Sequence, residues 1–246
     1  MFSSEILFAK SGSDFFNGAA TQSARFNSGS SAYLHFTPSG NGDRRKATIA
    51  FWFKKTSNGD SHSTLFGLND SSSGNYMVII FLTDQMYLQT APSADYLLTN
   101  QVFRDTSAWY HLCWSIDTTQ STASDRVKVY LNGTQITDWS TAQYPDQDSY
   151  LDICSTVQHA WGYFPDYGRY FNGYIADAYI IDGQQLTPSS FTETKEGALI
   201  PKAYEGSYGT NGIHLEFKQT GTGTASASTI GADTSGNNHH YTSSGM

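Results

Sequence analysis

Three groups of residues in this chain have types and spacings that could do chemistry: scattered carboxylates, a short run of oxygen-bearing side chains, and a dense window of aromatic rings. Hydrolysis of a glycosidic bond needs two carboxyl groups facing one cleft, most simply two acids at alternate positions of one strand. The five glutamates, Glu5, Glu193, Glu196, Glu205 and Glu216, form no E-x-D-x-E run. Asp177 and Asp182 are the nearest carboxylate pair, but an odd spacing sets them on opposite faces of a regular strand. Nucleophilic catalysis has no G-x-S-x-G turn to work with, and neither Cys113 nor Cys154 carries a reactive local signature. No residue is therefore assigned a catalytic role. His239 and His240 are adjacent, so their side chains point apart in extended chain; they read as surface histidines.

Asp233, Ser235 and Asn237 offer oxygen at alternate positions, the donor type that calcium takes. A calcium shell needs roughly six to eight oxygens, and no bidentate Glu or acidic cluster accompanies these three. The same letters in a Gly-rich loop also make Asx turns. Calcium is the one cofactor the sequence raises.

The window from 139 to 171 reads mostly as loop, yet it holds nine rings. Aromatic faces in such a place stack on the C–H surfaces of sugars or anchor a protein interface, while charged neighbours give direction. The candidate ligand or interface residues are Trp139, Tyr144, Trp161, Tyr163, Phe164, Asp166, Tyr167, Arg169 and Tyr170. The alternative is that these rings lid an apolar core.

The elements that must position them are strands. Period-2 alternation and β-rich runs predict strands near 6–9, 24–26, 33–36, 48–55, 64–68, 76–82, 86–89, 109–117, 126–131, 135–138, 173–181 and 213–217. Ile49, Phe51 and Phe53 fall on one face, with Thr48, Ala50 and Trp52 on the other, the pattern of a central strand covered on both sides. Leu112, Trp114 and Ile116 oppose His111, Cys113 and Ser115, so His111 reads as a packed sheet residue. Asn132-Gly133 between two strand-like pieces is the strongest short-range hairpin signal, because both turn residues must accept positive φ. In LTPSSF, Thr187 can cap and Pro188 can open a single helical turn.

Composition agrees with an all-β chain: only 15% of residues are charged, and 16 Tyr, 15 Phe and 5 Trp supply area for two sheet faces to bury. The expected organisation is one sandwich over 1–219 and a polar tail over 220–246, linker-like or docked on a neighbour. A formal charge of −8, with Arg44, Arg45 and Lys46 as the densest basic run, argues against nucleic acid, whose phosphates need clustered cations. That triplet reads as a solvated loop. No run approaches the ~20 apolar residues of a membrane span, so no insertion is expected. The first residues lack a basic start, apolar centre and small-residue cleavage site, so no signal peptide is expected. Two cysteines are too few for a disulfide scaffold; a buried free Cys113 is the usual reading, and a bridge to Cys154 stays open.

The succession of AFWFKK, AWYHLCWSID, RVKVYLNGTQI and FNGYIADAYIIDGQQLTPSSF resembles the laminin-G-like branch of the concanavalin-A-like superfamily. The resemblance runs from about 24 to 217 and implies a two-sheet antiparallel jelly-roll sandwich. Four segments, SARFNSGSSAYLHFTPS, QVFRDTSAWYHLCW, IIDGQQLTPSSF with IPKAYEGSYGTNGIHLEF, and IGADTSGNNHHYTSSG, are similar to versions of this domain in tailed bacteriophages of aquatic bacteria. That likeness implies a non-enzymatic virion component, a capsid decoration or part of a tail or fibre. The same likeness leaves the ligand open. The partners expected are other virion proteins and further copies of the chain, a homo-oligomer covering exposed strand edges; the second reading is a receptor-recognition module whose rim loops grip a host cell-surface glycan. With Met at the start and little after the last segment, the sequence reads as a stand-alone copy.

Overall fold

Alternation of apolar and polar side chains lets a strand give one face to a core, and two such sheets bury their apolar faces on each other. The computed structural model describes residues 18–70, 75–90, 96–165 and 167–246; the strand expected at 6–9 lies outside them. In chain order the strands begin with β1 (Ala24–Phe26), β2 (Tyr33–Phe36), β3 (Lys46–Lys55), β4 (Ser61–Asp70), β5 (Asn75–Leu82), β6 (Gln85–Gln89) and β7 (Tyr96–Val102). Next come β8 (Tyr110–Asp117), a turn of helix α1 (Ala123–Arg126), β9 (Val127–Leu131), β10 (Thr134–Gln135) and β11 (Trp139–Ala142). The ring-rich window adds β12 (Gln158–Trp161), β13 (Tyr163–Phe164) and β14 (Arg169–Tyr170). The remainder supplies β15 (Gly173–Asp182), a 3-10 turn at Pro188–Ser190, β16 (Thr192–Lys195), β17 (Ala198–Pro201), β18 (Ile213–Leu215) and β19 (Thr242–Ser244).

Among the described residues, one sheet runs β1-β15-β3-β8-β9-β10, with β18 also on β15. The other runs β11-β7-β6-β5-β4-β12-β2-β19, and β13–β14 and β16–β17 stand apart as hairpins. The central place of β3 and its two covered faces are as the alternation predicts. Phe51 and Phe53 meet the opposite sheet across the interior, with ring centroids 5.1 Å from Trp161 and 5.7 Å from Phe81. Leu112, Trp114 and Ile116 join this core, while Cys113 faces outward into a second buried cluster with Ala50, Tyr179, Ile181 and Phe191. Cys154 sits in the main core, and both thiols are free. Asn132 (φ 49°) and Gly133 (φ 82°) close the β9–β10 hairpin, and Asn132 also accepts a 2.8 Å bond from the His111 amide. Thr187 takes the cap position before Pro188, although its hydroxyl bonds Ser189 Oγ and no helix amide.

Two expectations are corrected. Residues 220–246 do not behave as a linker: β19 pairs with β2, Tyr241 is buried, and Ile230 donates a 2.7 Å amide bond to Gly221. The Tyr241 ring, its centroid 5.5 Å from that of Phe36, helps anchor a segment whose composition otherwise looks unstructured. Arg44, Arg45 and Lys46 are also not merely solvated, since each meets a carboxylate, on Asp152, Asp148 and Asp117 respectively. No helix among the described residues is long and apolar enough to cross a membrane.

Candidate functional site

The candidate site grows from one departure of the chain from its sheet. Strand β12 ends at Trp161, whose ring is fully buried, and the chain then rises over the outer face of β4 as the hairpin β13–β14. Gly67 on β4 makes this crossing possible: a Cβ there would sit 2.7 Å from the Tyr163 carbonyl oxygen and 3.1 Å from Phe164 Cα. The hairpin is tied down by Gly162, which donates to the Leu65 carbonyl and accepts from the Phe171 amide, each at 2.9 Å. Phe171 then returns to the core.

Cross-strand pairing places Tyr163 opposite Tyr170, rings stacked at 4.8 Å, and Tyr33 of β2 joins them at 4.6 Å from Tyr163. On the other side of the hairpin Phe164 is buried against Val78 and Ile80, with Tyr167 stacked on it at 4.3 Å. Tyr76 flanks both rings, and Arg169 holds its guanidinium 5.2 Å above the Tyr167 ring. Tyr167 is 48% exposed, the most open ring of the set.

Beside these rings runs a groove of about 380 Å³ lined by Ser28, Asp60, Ser61, His62, Ser63, Gly168, Arg169 and Tyr170. His62 has φ 67° where β4 breaks register, a strained conformation of the kind kept where a side chain must be aimed. Burial, then the nearby Arg169 charge, holds its pKa below the ordinary value. The groove thus offers a neutral imidazole, hydroxyls, a guanidinium and Asp60, whose carboxylate accepts the Ser57 hydroxyl. Asp60 is the one carboxylate among the described lining residues, half of the pair that glycosidic hydrolysis needs. What the arrangement can do is stack and hydrogen-bond.

Of the candidates read from sequence, Tyr163, Phe164, Tyr167, Arg169 and Tyr170 come together here. Trp161 does not: it packs between Phe51 and Phe66 in the interior. Trp139 and Tyr144 are half-buried against that same core. Asp166 lies outside the described residues. Sequence reading missed Tyr33, Tyr76, Asp60 and His62; alternation in YLHF and in NYMVIIFL puts Tyr33 and Tyr76 on outward faces, which was the available signal.

The proposed calcium ligands have other work. Asp233 accepts amide bonds from His214, Ser235 and His239, each at 2.9 Å, and the Ser235 hydroxyl at 2.8 Å. The Asn237 amide donates to the Gly209 and Gly212 carbonyls. N–H and O–H groups aimed at the carboxylate fill the positions a cation would take, so this loop is an Asx-type staple and does not fit calcium. Among the described residues no three His, Cys, Asp or Glu side chains cluster as metal ligands. The two histidines are half-buried: His239 stacks on Phe36 at 4.8 Å, and His240 Nδ1 accepts the Asp233 amide. Asp177 and Asp182 are likewise separated, on opposite sides of β15 as their odd spacing predicts, since Ala178 and Ile180 enter the main core while Tyr179 and Ile181 face the other way. A bulge places Asp177 at φ 48°; its carboxylate meets His214 Nε2 at 2.8 Å, while Asp182 accepts from the Asp43 and Asn211 amides.

Two antiparallel sheets with a ring-lined outer face define a lectin-type β-sandwich. Residues 27–190 match the Laminin_G_3 family, concanavalin A-like lectin/glucanases superfamily, and the chain belongs to it. A Bacteroides ovatus protein described as a candidate carbohydrate-binding protein is similar in structure, with TM-score 0.58, 13% identity, and coverage of 92% of this chain and 58% of that one. The mouse laminin alpha1 LG4-5 domains give 0.48 and 10%, covering 80% and 48%. A heptameric SAP-like pentraxin from Limulus polyphemus gives 0.47 and 18%, covering 68% and 75%. At these identities the likeness is one of fold. No curated protein is significantly similar in sequence.

Proposed function

We propose that this chain is a non-enzymatic structural component of a phage virion, a capsid decoration or part of a tail or fibre, whose sandwich carries a face for gripping a host cell-surface glycan. The observation that carries the glycan reading is the β13–β14 hairpin, which presents the Tyr167 ring under the Arg169 guanidinium at the lip of a polar groove. A pyranose offers a flat C–H face for the ring and hydroxyls for the guanidinium, His62 and serines. The carbohydrate-binding description of the Bacteroides ovatus protein supports the same ligand class. The virion setting rests on the four phage-type sequence segments, and there the chain works beside other virion proteins and further copies of itself.

The test is a glycan array read with the purified chain and with Tyr167→Ala and Arg169→Ala. Each substitution weakens binding about tenfold, the worth of one ring or one charged hydrogen bond, without shifting the unfolding midpoint. No binding to any host polysaccharide, alongside stoichiometric incorporation into particles, leaves assembly as the whole function. Absence from every virion ends the particle assignment.

A further inference from the structure

A hydrogen-bonded relay of three side chains lies on the sheet opposite the tyrosine hairpin. His214 of β18 is the cross-strand partner of Tyr179 on β15, and their rings stack at 4.1 Å and 8°, which fixes the plane of the imidazole. Its Nε2 lies 2.8 Å from Asp177 Oδ1 and its Nδ1 lies 3.0 Å from Thr234 Oγ1. The three positions are so far apart in sequence that no local motif announces them.

A neutral imidazole carries hydrogen on one nitrogen and accepts on the other. An ionised Asp177 only accepts, so it draws the hydrogen to Nε2 and leaves Nδ1 as acceptor for the Thr234 hydroxyl. Asp177 is 2% exposed and sits in the β15 bulge at φ 48°, so burial and backbone both restrict its carboxylate. Carboxylate, imidazole and hydroxyl in this order make an activated nucleophile. Thr234 is exposed, whereas its neighbours Asp233 and Ser235 bond each other in the staple. The Thr234 amide donates to the His214 carbonyl at 2.9 Å, which holds nucleophile and base in register, and the hydroxyl has that same carbonyl as its other acceptor at 3.3 Å. Thr234 lines a hollow of about 120 Å³ with Phe217, Ala227 and Ala232, apolar wall for a short acyl chain. Lys218, its ammonium 2.5 Å from Glu216, shares that wall and puts a cation near a carbonyl oxygen that gains negative charge.

We propose that Thr234 is a covalent acylation site, which takes a short acyl group from an activated ester. The Thr234 oxygen bonds the ester carbonyl carbon, the bond from that carbon to the leaving oxygen breaks, and the hydroxyl proton passes to His214 Nδ1 and on to the leaving oxygen. His214 is the base, and Asp177 is a positioning residue that sets its tautomer. A single transfer modifies the chain and turns nothing over, so the site goes beyond the glycan reading and does not depend on it.

The probe is p-nitrophenyl butyrate, with p-nitrophenol release followed by absorbance and the butyryl group located by peptide mass spectrometry. The parent gains a butyryl group on Thr234. Thr234→Val, nearly isosteric at an exposed position, loses the matching p-nitrophenol release, and Thr234→Ser keeps it. His214→Gln slows labelling of Thr234 about a hundredfold without altering the slow labelling of lysines. Asp177→Asn slows it to a similar degree, and nitrogen-15 NMR of the His214 ring in mildly alkaline buffer shows the hydrogen on Nε2 in the parent and on Nδ1 in this variant, an inversion that a merely structural carboxylate would not produce. The proposal is overturned if Thr234 acquires no butyryl group, if Thr234→Val releases p-nitrophenol as the parent does, or if a folded His214→Gln labels at the parental rate. Should His214→Gln fail to fold, the Val and Ser variants at position 234 decide.

Discussion

The two outer faces of this sandwich carry the same raw material, tyrosine and phenylalanine on pleated strands, and use it differently. Over the β15–β3–β8 sheet, Tyr179 and Phe191 are buried, with Tyr204 and Tyr208 packed on them and His214 stacked 4.1 Å from Tyr179 at 8°. Their roof is long and repeatedly tied, through Lys202 to the Phe191 carbonyl, Asp182 to the Tyr208 carbonyl, and Gln184 to Ser207. Over the β4–β5–β6 sheet the roof among the described residues is one short hairpin, and Tyr76 and Tyr87 are left half-buried at its edge while Tyr167 is open. A ring under a long roof is glue; the same ring beside a short one is a contact surface. Residue type does not make that distinction, whereas the length and anchoring of the covering backbone do.

Substitutions can break this contrast, and the largest effect belongs to the roofed face. Tyr179→Ala empties a buried site and lowers stability by about 3–5 kcal/mol in urea unfolding; a loss under 1 kcal/mol would mean that the roof does not depend on the ring. Gly67→Ala pushes a methyl into the backbone of the hairpin and costs about 1–3 kcal/mol. Because Tyr167 and Arg169 ride on that hairpin, glycan binding falls with it; unchanged binding would show that the crossing is not what aims them.

Alkaline titration sharpens the contrast further. Burial first, then the Asp177 charge, pushes the Tyr208 phenol up to about 12 from an ordinary value of 10. The unfolded chain releases this proton near pH 10 and the folded chain retains it, so its stabilisation is complete below pH 10 and disappears as pH rises towards 12. The melting midpoint of the parent falls across that window, and Tyr208→Phe removes roughly 2–4 °C of the fall. The smallest effect on stability is that of Tyr167→Ala, within about 0.5 kcal/mol, while its glycan affinity drops about tenfold. A ring with no structural cost and a large binding cost is the signature of the open face.

How much of this was legible in the sequence depends on what each signal encodes. Alternation is local, so the two faces of 48–55 and 109–117 and the Asn132-Gly133 hairpin could be read directly. Trp161 and Tyr163 show the limit. They stand two positions apart, in the same dense window, yet one is core and the other lies outside the sheet, because the chain leaves the sheet at Gly162 and only the tertiary neighbour Gly67 permits it. Tyr33 and Tyr76 were out of reach as site residues because they come from strands far from the window and join it only through sheet order. The odd spacing of Asp177 and Asp182 did set them apart, because alternation runs unbroken from Ala178 to Ile181 beyond the bulge. Composition misjudged 220–246, since one buried Tyr241 and one staple at Asp233 outweigh a background of Ser, Thr and Gly.

The pairing of β19 with β2 also governs how the molecule can be made. The Ser30 hydroxyl bonds the Gly245 carbonyl across 215 positions of sequence. A ribosome adding about 5–20 residues per second takes roughly ten to forty seconds to bring those two ends together. For that interval the flank of β2 that takes β19 is an unfilled edge, the kind of edge a neighbouring nascent chain can pair with.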